Sequence, residues 1–401
     1  MHGAALVRAQ APFGLRVRSP GLCMVQPLSG LSRLIIFFFF LLETFFCLWL
    51  NTNGICLTGG IVHRENHKQP GVHTLSLPFV KIAGTGSYLP ERVVSNDDLA
   101  KTLDTSDEWI YSHTGIRERH IAADSQSPLD MAYAASCLAL QQADLPAEEL
   151  GMIMLSTCTG DYNYFPSSAC LLQHRLQAKN AAALDILAAC SGFVYALDLA
   201  RAWVSSSKKP ALVVASEMLS RITDWQSRET CILFGDGAAA ALLVPSAENG
   251  LIYSYLGADG EKAHLLALGG GCKDPIGREP QPPHYVEMQG RALFSVAVRA
   301  IEQTIVKILD ENQLQIEQIA HVVPHQANIR ILDAVAKRLQ IAPEKLLSNI
   351  DKTANTSSAS IPILLDELNR AGKLKRNDLI LSVAFGGGLT YGGNLIRWLR
   401  D

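Results

Sequence analysis

From residue 80 onward, short apolar runs alternate with longer stretches whose apolar residues recur at three- and four-residue spacing. The short runs predict strands and the longer ones amphipathic helices. Residues 80–84 begin a strand, and 84–90 follow as a loop. Ser106 is placed to cap a helix with Asp107 and Glu108 in its first turn. Residues 115–120 read as a charged connection. Ser127 followed by Pro128 starts a helix that runs to about Ala143. Residues 152–156 form a short apolar strand. Residues 181–186, interrupted only by Asp185, read as a buried strand. Phe193, Val194, Ala196, Leu197 and Ala200 then mark a helix face.

The pattern continues with a strand at 211–215 and a strand, tight turn and strand over 231–244. The Gly235-Asp236-Gly237 turn leads into another apolar run rather than a capped helix, so a phosphate loop is rejected. In the same way, Gly84 and Gly86 lack the third glycine of a dinucleotide fingerprint. Polar residues 245–250 mark a boundary. Helices follow at 291–309, about 327–339 and 357–370. Strands end at 321–324 and 379–385, and a last strand runs to Trp398. Strands alternating with helices on both sides of the boundary imply an α/β fold with covered sheets. The expected organisation is one half over 77–249 and a second over 250–401.

Residues 1–76 differ. Residues 34–50 are almost entirely apolar, at the short limit of a membrane span, and follow Arg8, Arg16, Arg18 and Arg33. Read as an anchor or a signal peptide, this segment would export everything after it. The preferred expectation is a mis-assigned translation start, with true initiation near residues 77–80. A membrane association is expected only if the segment is real.

Composition narrows the classes. Of the 401 residues, 48% are hydrophobic and 18% charged, and the net charge is −3, which gives no nucleic-acid footprint. The nine cysteines are odd in number, show no CxxC and lie mostly in apolar segments. Free thiols in a reducing, cytoplasmic setting are expected rather than a disulfide framework. No Cys/His cluster has zinc-ligand spacing.

Candidate chemistry falls at strand-to-helix corners. Cys190 sits at one, where a helix start favours thiolate, and Gly192 leaves the sulfur accessible. His325 sits at the matching corner of the second half, and imidazole can exchange a proton near neutrality. Asn355 precedes a further helix. Gly386, Gly387 and Gly388 follow a buried strand, and their N–H groups could hold an oxyanion. Taken singly, each has a plainer reading: a core thiol, a structural histidine, a helix cap and a β-turn.

Eight motifs in order change that balance: Gly84-Thr-Gly-Ser-Tyr-Leu-Pro, Thr105-Ser-Asp-Glu-Trp-Ile, Thr114-Gly-Ile-Arg-Glu-Arg, Ala189-Cys-Ser-Gly-Phe, Phe234-Gly-Asp-Gly-Ala, Pro324-His-Gln-Ala-Asn, Asn355-Thr-Ser and Phe385-Gly-Gly-Gly. From about Val80 to Arg400 the chain resembles the β-ketoacyl-acyl carrier protein synthase III family of condensing enzymes. The resemblance implies a thiolase-like fold of two similar αβαβα halves. It implies decarboxylative condensation of an acyl-CoA primer, expected to be acetyl-CoA, with malonyl-acyl carrier protein, initiating type II fatty acid synthesis. Cys190 would be the acylated nucleophile, and His325 and Asn355 would hold the malonyl thioester oxygen. The N–H groups of Cys190 and Gly387 would form the oxyanion hole. Trp109, Arg228 and Asn328 would bind coenzyme A, and Gln326, Ala327, Asn328, Ile329 and Arg330 the carrier protein. Arg330, Lys337 and Arg338 share one helix face that an acidic carrier could meet. Coenzyme A thioester is a substrate, so no cofactor and no metal are expected. A homodimer is implied, with Phe165 matching a residue that closes the partner's acyl pocket.

The chain departs from the family pattern at His113, where the family has arginine, at Ala354, where it has glycine, and at Leu389, where it has an aromatic residue. These bear on the coenzyme A grip and on primer choice. A thiolase would need a second cysteine near the C-terminal glycines, and the last is Cys272. The elongating synthases use two histidines, and a cysteine hydrolase gives no reason for Trp109. Two alternatives remain open: a related condensing enzyme with a longer or unusual primer for a secondary metabolite, and a non-catalytic paralogue.

Overall fold

The computed structural model describes residues 78–269 and 285–400. The 34–50 segment and Cys272 lie outside them. Among the described residues no helix is long and apolar enough to cross a membrane.

The strands fall into two main sheets. The first orders β1 (Phe79–Tyr88), β7 (Asp236–Ser246), β6 (Ala211–Met218), β4 (Met152–Ser156) and β5 (Ala182–Ile186). Its β6–β4–β5 part is parallel, and β7 runs antiparallel to β1 and β6. The second sheet orders β11 (His321–Pro324), β12 (Leu379–Gly386), β13 (Thr390–Arg397) and β8 (Leu251–Ala258). Only its β11–β12 pair is parallel. Two small two-stranded antiparallel sheets pair β2 (Arg92–Ser95) with β3 (Glu118–Ile121), and β9 (Leu266–Leu268) with β10 (Val286–Met288).

Helices make the remaining layers. In chain order they are α1 (Asn96–Ala100), α2 (Asp107–Thr114), α3 (Pro128–Gln142), α4 (Ser168–Arg175), α5 (Gly192–Ser207), α6 (Gly290–Glu311), α7 (Ile329–Leu339), α8 (Ile350–Thr353) and α9 (Ser360–Arg370). The long helix α5 packs on β4 and β6 of one sheet and on β12 and β13 of the other, while α9 packs on β1, β7 and β11. These two therefore form a middle layer. On the outside, α3 covers the first sheet and α6 the second. The result is the thiolase-like α/β fold, in the order helix, sheet, helix, sheet, helix.

Strand periodicity explains why the sheets read as continuous apolar runs. In β6, Ala211, Val213 and Ala215 join the middle-layer core with Phe193, Leu197 and Leu364. Their neighbours Leu212 and Val214 join the outer core with Met131 and Ala135 of α3. Both faces are covered, so both alternating sets must be apolar.

Four local expectations are corrected. First, residues 84–88 continue β1 instead of forming a loop. The glycines are needed for packing: a Cβ at Gly84 would lie 2.2 Å from the Ala139 carbonyl oxygen, and one at Gly86 2.4 Å from that of Ala135. Second, the charged connection contains β3, where Arg119 is fully buried and donates to the carbonyls of Val94 and Ile232 and to Asn96 Oδ1. Third, residues 231–233 are turn, so only the second of the two expected strands forms. Asp236 sets this corner by accepting from the N–H groups of Ala122 and Ser220 and from Ser220 Oγ. Fourth, β5 is an edge strand with Leu184 exposed, not a buried one. Its Asp185 caps α4, accepting from the N–H groups of Ser168 and Ala169 at 2.7 Å each.

Candidate active site

The parallel strands β5 and β11 each end at a corner, and each corner delivers a reactive side chain into one cavity of about 460 Å³. Cys190, His325 and Asn355 all line it. So do Trp109, His113 and Arg228, which are more exposed. The cavity thus runs from the surface to the three candidate catalytic groups.

Cys190 occupies the turn Ala189–Ser191 between β5 and α5. Ser191 Oγ donates to Thr390 Oγ1, which in turn donates to the Ala188 carbonyl. These bonds tie the cysteine turn to the glycine segment 386–388. Contact is tight: a Cβ at Gly386 would sit 2.7 Å from the Cys190 nitrogen. No backbone acceptor among the described residues takes the N–H of Cys190 or of Gly387. The helix start was expected to favour thiolate at Cys190, and burial acts in the opposite direction. Burial pushes the Cys190 thiol up to about 12, Ser357 opposes the rise by hydrogen bonding, and Glu217 adds to it. Burial is the largest cause of the rise.

His325 is 1% exposed. Its N–H donates to the Val383 carbonyl, which fixes the backbone at the end of β11. Its ring meets Phe385 edge-on at 5.7 Å, and Nδ1 lies 2.8 Å from Ser360 Oγ. Burial pushes the imidazole down to about 3, so it is neutral near physiological pH. Asn355 is held by backbone bonds with Leu233 and Gly235. Its Oδ1 accepts from the Ser357 N–H at 2.8 Å. This acceptor role settles the amide's orientation and leaves the NH₂ as the group free to serve the cavity.

At the exposed end, the Arg228 guanidinium lies 4.7 Å from the centroid of the Trp109 ring, and its Nη1 donates to the Asp104 carbonyl. His113 stacks on the same indole, with centroids 4.3 Å apart. The indole, two basic side chains and an open path suit a flat, anionic ligand. Asn328 lines the cavity, but its side chain is engaged: Oδ1 caps α7 through the Arg330 N–H and Nδ2 donates to the His113 carbonyl. It ties α7 to α2.

The expected carrier-docking residues separate. Arg330, Lys337 and Arg338 are exposed, and Arg338 pairs with Glu302 at 2.7 Å. Ala327, Asn328 and Ile329 are half-buried. Gln326 is corrected: it is fully buried, its Nε2 donates to the Pro324 carbonyl, and its Oε1 accepts from Ser348 Oγ. A side chain held in this way offers no surface to a partner.

Three nearby groups escaped sequence reading. Ser360 touches His325, and the Ser357 N–H orients Asn355. Glu217 is fully buried, and no cation pairs with it among the described residues. It accepts from the Cys158 N–H, Thr159 Oγ1 and Ser358 Oγ, and burial pushes its carboxyl up. Ser357 and Ser360 stood inside a motif of small polar residues, where the only local signal was helix initiation.

Comparison with known proteins bears on this arrangement. The family model for 3-oxoacyl-[acyl-carrier-protein] synthase III matches residues 184–260, and the model for its C-terminal part matches residues 309–398. A β-ketoacyl-[acyl-carrier-protein] synthase III of Xanthomonas euvesicatoria pv. vesicatoria is 47% identical over 321 residues, which is 80% of this chain and 98% of that protein. The crystal structure of 3-oxoacyl-[acyl-carrier-protein] synthase III from Aquifex aeolicus superposes with a TM-score of 0.74 at 46% identity, covering 80% of this chain and all of that one. The priming β-ketosynthase of the R1128 polyketide pathway superposes with a TM-score of 0.76 at 33% identity, over 82% and 99% of the two chains.

Proposed function

The chain belongs to the β-ketoacyl-[acyl-carrier-protein] synthase III family, and on that premise we propose how its residues carry the reaction. It is an acyltransferase that condenses an acyl-CoA primer with malonyl-acyl carrier protein in the initiation of fatty acid synthesis. The observation that carries the residue assignment is the shared cavity of Cys190, His325 and Asn355, reached past Trp109 and Arg228.

Cys190 is the nucleophile. Its sulfur attacks the primer thioester, and the thiol proton leaves with the departing coenzyme A sulfur, so acyl-cysteine and free coenzyme A are formed. A sulfur is suited to this because it is both a good nucleophile and a good leaving group. The N–H groups of Cys190 and Gly387 hold the tetrahedral oxyanion. Malonyl-acyl carrier protein then loses CO₂, and negative charge moves to the thioester oxygen. His325 and Asn355, both neutral donors, stabilise that enolate without protonating its carbon. The carbon attacks acyl-Cys190, the sulfur departs and takes up a proton, and 3-oxoacyl-carrier protein is released.

Acetyl-CoA is the proposed primer. A longer primer is the second reading, favoured by Leu389 at a position where the family has an aromatic residue and by the likeness to a polyketide priming enzyme. Trp109 and Arg228 bind the nucleotide end of coenzyme A, and Arg330 with Lys337 meets the carrier protein. The cytoplasm, where these substrates occur, is the proposed location. A homodimer is also proposed, supported by the free edge of β5 and by Phe165 and Leu187, which are 86% and 80% exposed.

Single-turnover assays with acyl-CoA primers of increasing length test this reading. Product 3-oxoacyl-carrier protein with acetyl-CoA supports the proposal. Loading of Cys190 only by longer acyl groups supports the second reading. No loading by any primer contradicts both.

A further inference from the structure

A neutral imidazole has one proton and two places for it. It can hold an oxygen in the cavity only when Nε2 carries that proton and Nδ1 does not. The structure contains a group that decides between the two forms. Ser360 stands at the first turn of α9, with its hydroxyl between two partners. The Gln326 N–H donates to Ser360 Oγ at 3.2 Å, and His325 Nδ1 lies 2.8 Å from the same oxygen.

The direction of the second bond follows by elimination. A serine hydroxyl has one proton to give. The Gln326 N–H can only donate, so it cannot receive that proton. No other side-chain or backbone acceptor among the described residues is hydrogen-bonded to Ser360 Oγ. Ser360 is 1% exposed, so solvent is not a ready substitute, and a buried hydroxyl left without an acceptor is costly. The remaining acceptor is Nδ1.

We propose that Ser360 is a positioning residue that donates its hydroxyl proton to Nδ1 of His325, fixing the imidazole as the Nε2–H form that presents a donor to the substrate thioester oxygen. Several features fit. The Gln326 N–H polarises the Ser360 oxygen and makes its proton a better donor. Gln326 is itself locked by the Pro324 carbonyl and Ser348, so the donor to Ser360 is fixed from behind. Nε2 has no protein partner among the described residues, and the ring borders the cavity. Depression of the imidazole's basicity by burial means that the tautomer, not the charge, is the variable to be controlled. The inference also gives buried Gln326 a role consistent with its position, as the anchor of this chain of hydrogen bonds.

The proposal rests on the catalytic reading of His325, and its test separates the two. The full-length enzyme is labelled with ¹⁵N-histidine, and two-bond proton–nitrogen correlations assign the tautomer of His325, with His325→Ala identifying the signals. The expected wild-type pattern is protonated Nε2 and unprotonated Nδ1. A protonated Nδ1 in the wild type overturns the proposal and needs no variant to fold. In Ser360→Ala the preference should be lost. Its single-turnover condensation with malonyl-carrier protein should fall roughly 10- to 100-fold, less than removal of a donor outright can cost. Loading of Cys190 by acyl-CoA should stay within about two-fold, because the loading step does not use this donor. Ser360→Thr, which keeps the hydroxyl, should restore both the tautomer and most of the condensation rate. An unchanged tautomer in Ser360→Ala, or equal losses in the loading and condensation steps, would overturn the proposal. If His325→Ala condenses at the wild-type rate, the catalytic reading fails while the tautomer assignment still stands or falls on its own spectrum.

Discussion

Ala354 sits directly before Asn355 with φ 55° and ψ −156°, a region that glycine adopts freely and that costs other residues. The strain is held by the Ala354 N–H bond to the Ile350 carbonyl and by the Asn355 bonds to Leu233 and Gly235. Ala354→Gly should therefore stabilise the protein by about 1 kcal/mol after the added chain entropy is subtracted. Thermal unfolding checks this: a rise in Tm is expected, and a fall would mean that the methyl packing outweighs the backbone strain. At Cys190 the relevant quantity is the proton. With the thiol pushed up to about 12 and His325 down to about 3, neither group titrates between pH 5 and 8. The single-turnover rate of acyl loading should climb with pH across that interval, following the rising thiolate fraction, without a plateau. A plateau below pH 8 would show that the thiolate is stabilised in the free enzyme.

At the scale of elements, two strand-to-helix corners were legible because each puts one polar residue between an apolar strand and an amphipathic helix. Cys190 and His325 stand out for that reason. The contacts that tune them were not legible. Ser360 reaches His325 across 35 positions, and a serine near a helix start looks the same whether or not it touches an imidazole. Glycines in β1 concealed a strand because their packing purpose appears only when α3 is laid against them. β3 was hidden by charge, since Arg119 is buried only by virtue of three acceptors supplied from elsewhere in the fold. Amphipathic α7 was readable in outline, and its exposed face supports a separate expectation. Arg330→Glu with Lys337→Glu should raise KM for malonyl-carrier protein about 10-fold while leaving acyl-CoA loading unchanged. Steady-state kinetics with each substrate varied checks the division, and equal effects on both substrates would contradict a carrier-docking role.

For the molecule as a whole, the layers place the chemistry. Each sheet ends a parallel strand at the same cavity, while α5 and α9 fill the space between the sheets and bring the segments after Cys190 and Asn355 together. Alternation of strands and helices was enough to predict covered α/β sheets. The αβαβα order came with the family resemblance and not from periodicity, because period-2 patterning in doubly covered strands leaves no polar face to orient them. Among the described residues no strand pairs with the outer edge of β5, which is where the proposed second subunit would add its own edge strand.

The most direct test follows one acyl group through the enzyme. Protein loaded with ¹⁴C-acetyl-CoA and freed of excess label is digested and mapped, and a second portion is mixed with malonyl-carrier protein. The account expects all of the label on the peptide containing Cys190, and its transfer to 3-oxoacyl-carrier protein with release of CO₂. Label on another residue, or label that stays on Cys190 after malonyl-carrier protein is added, would contradict it.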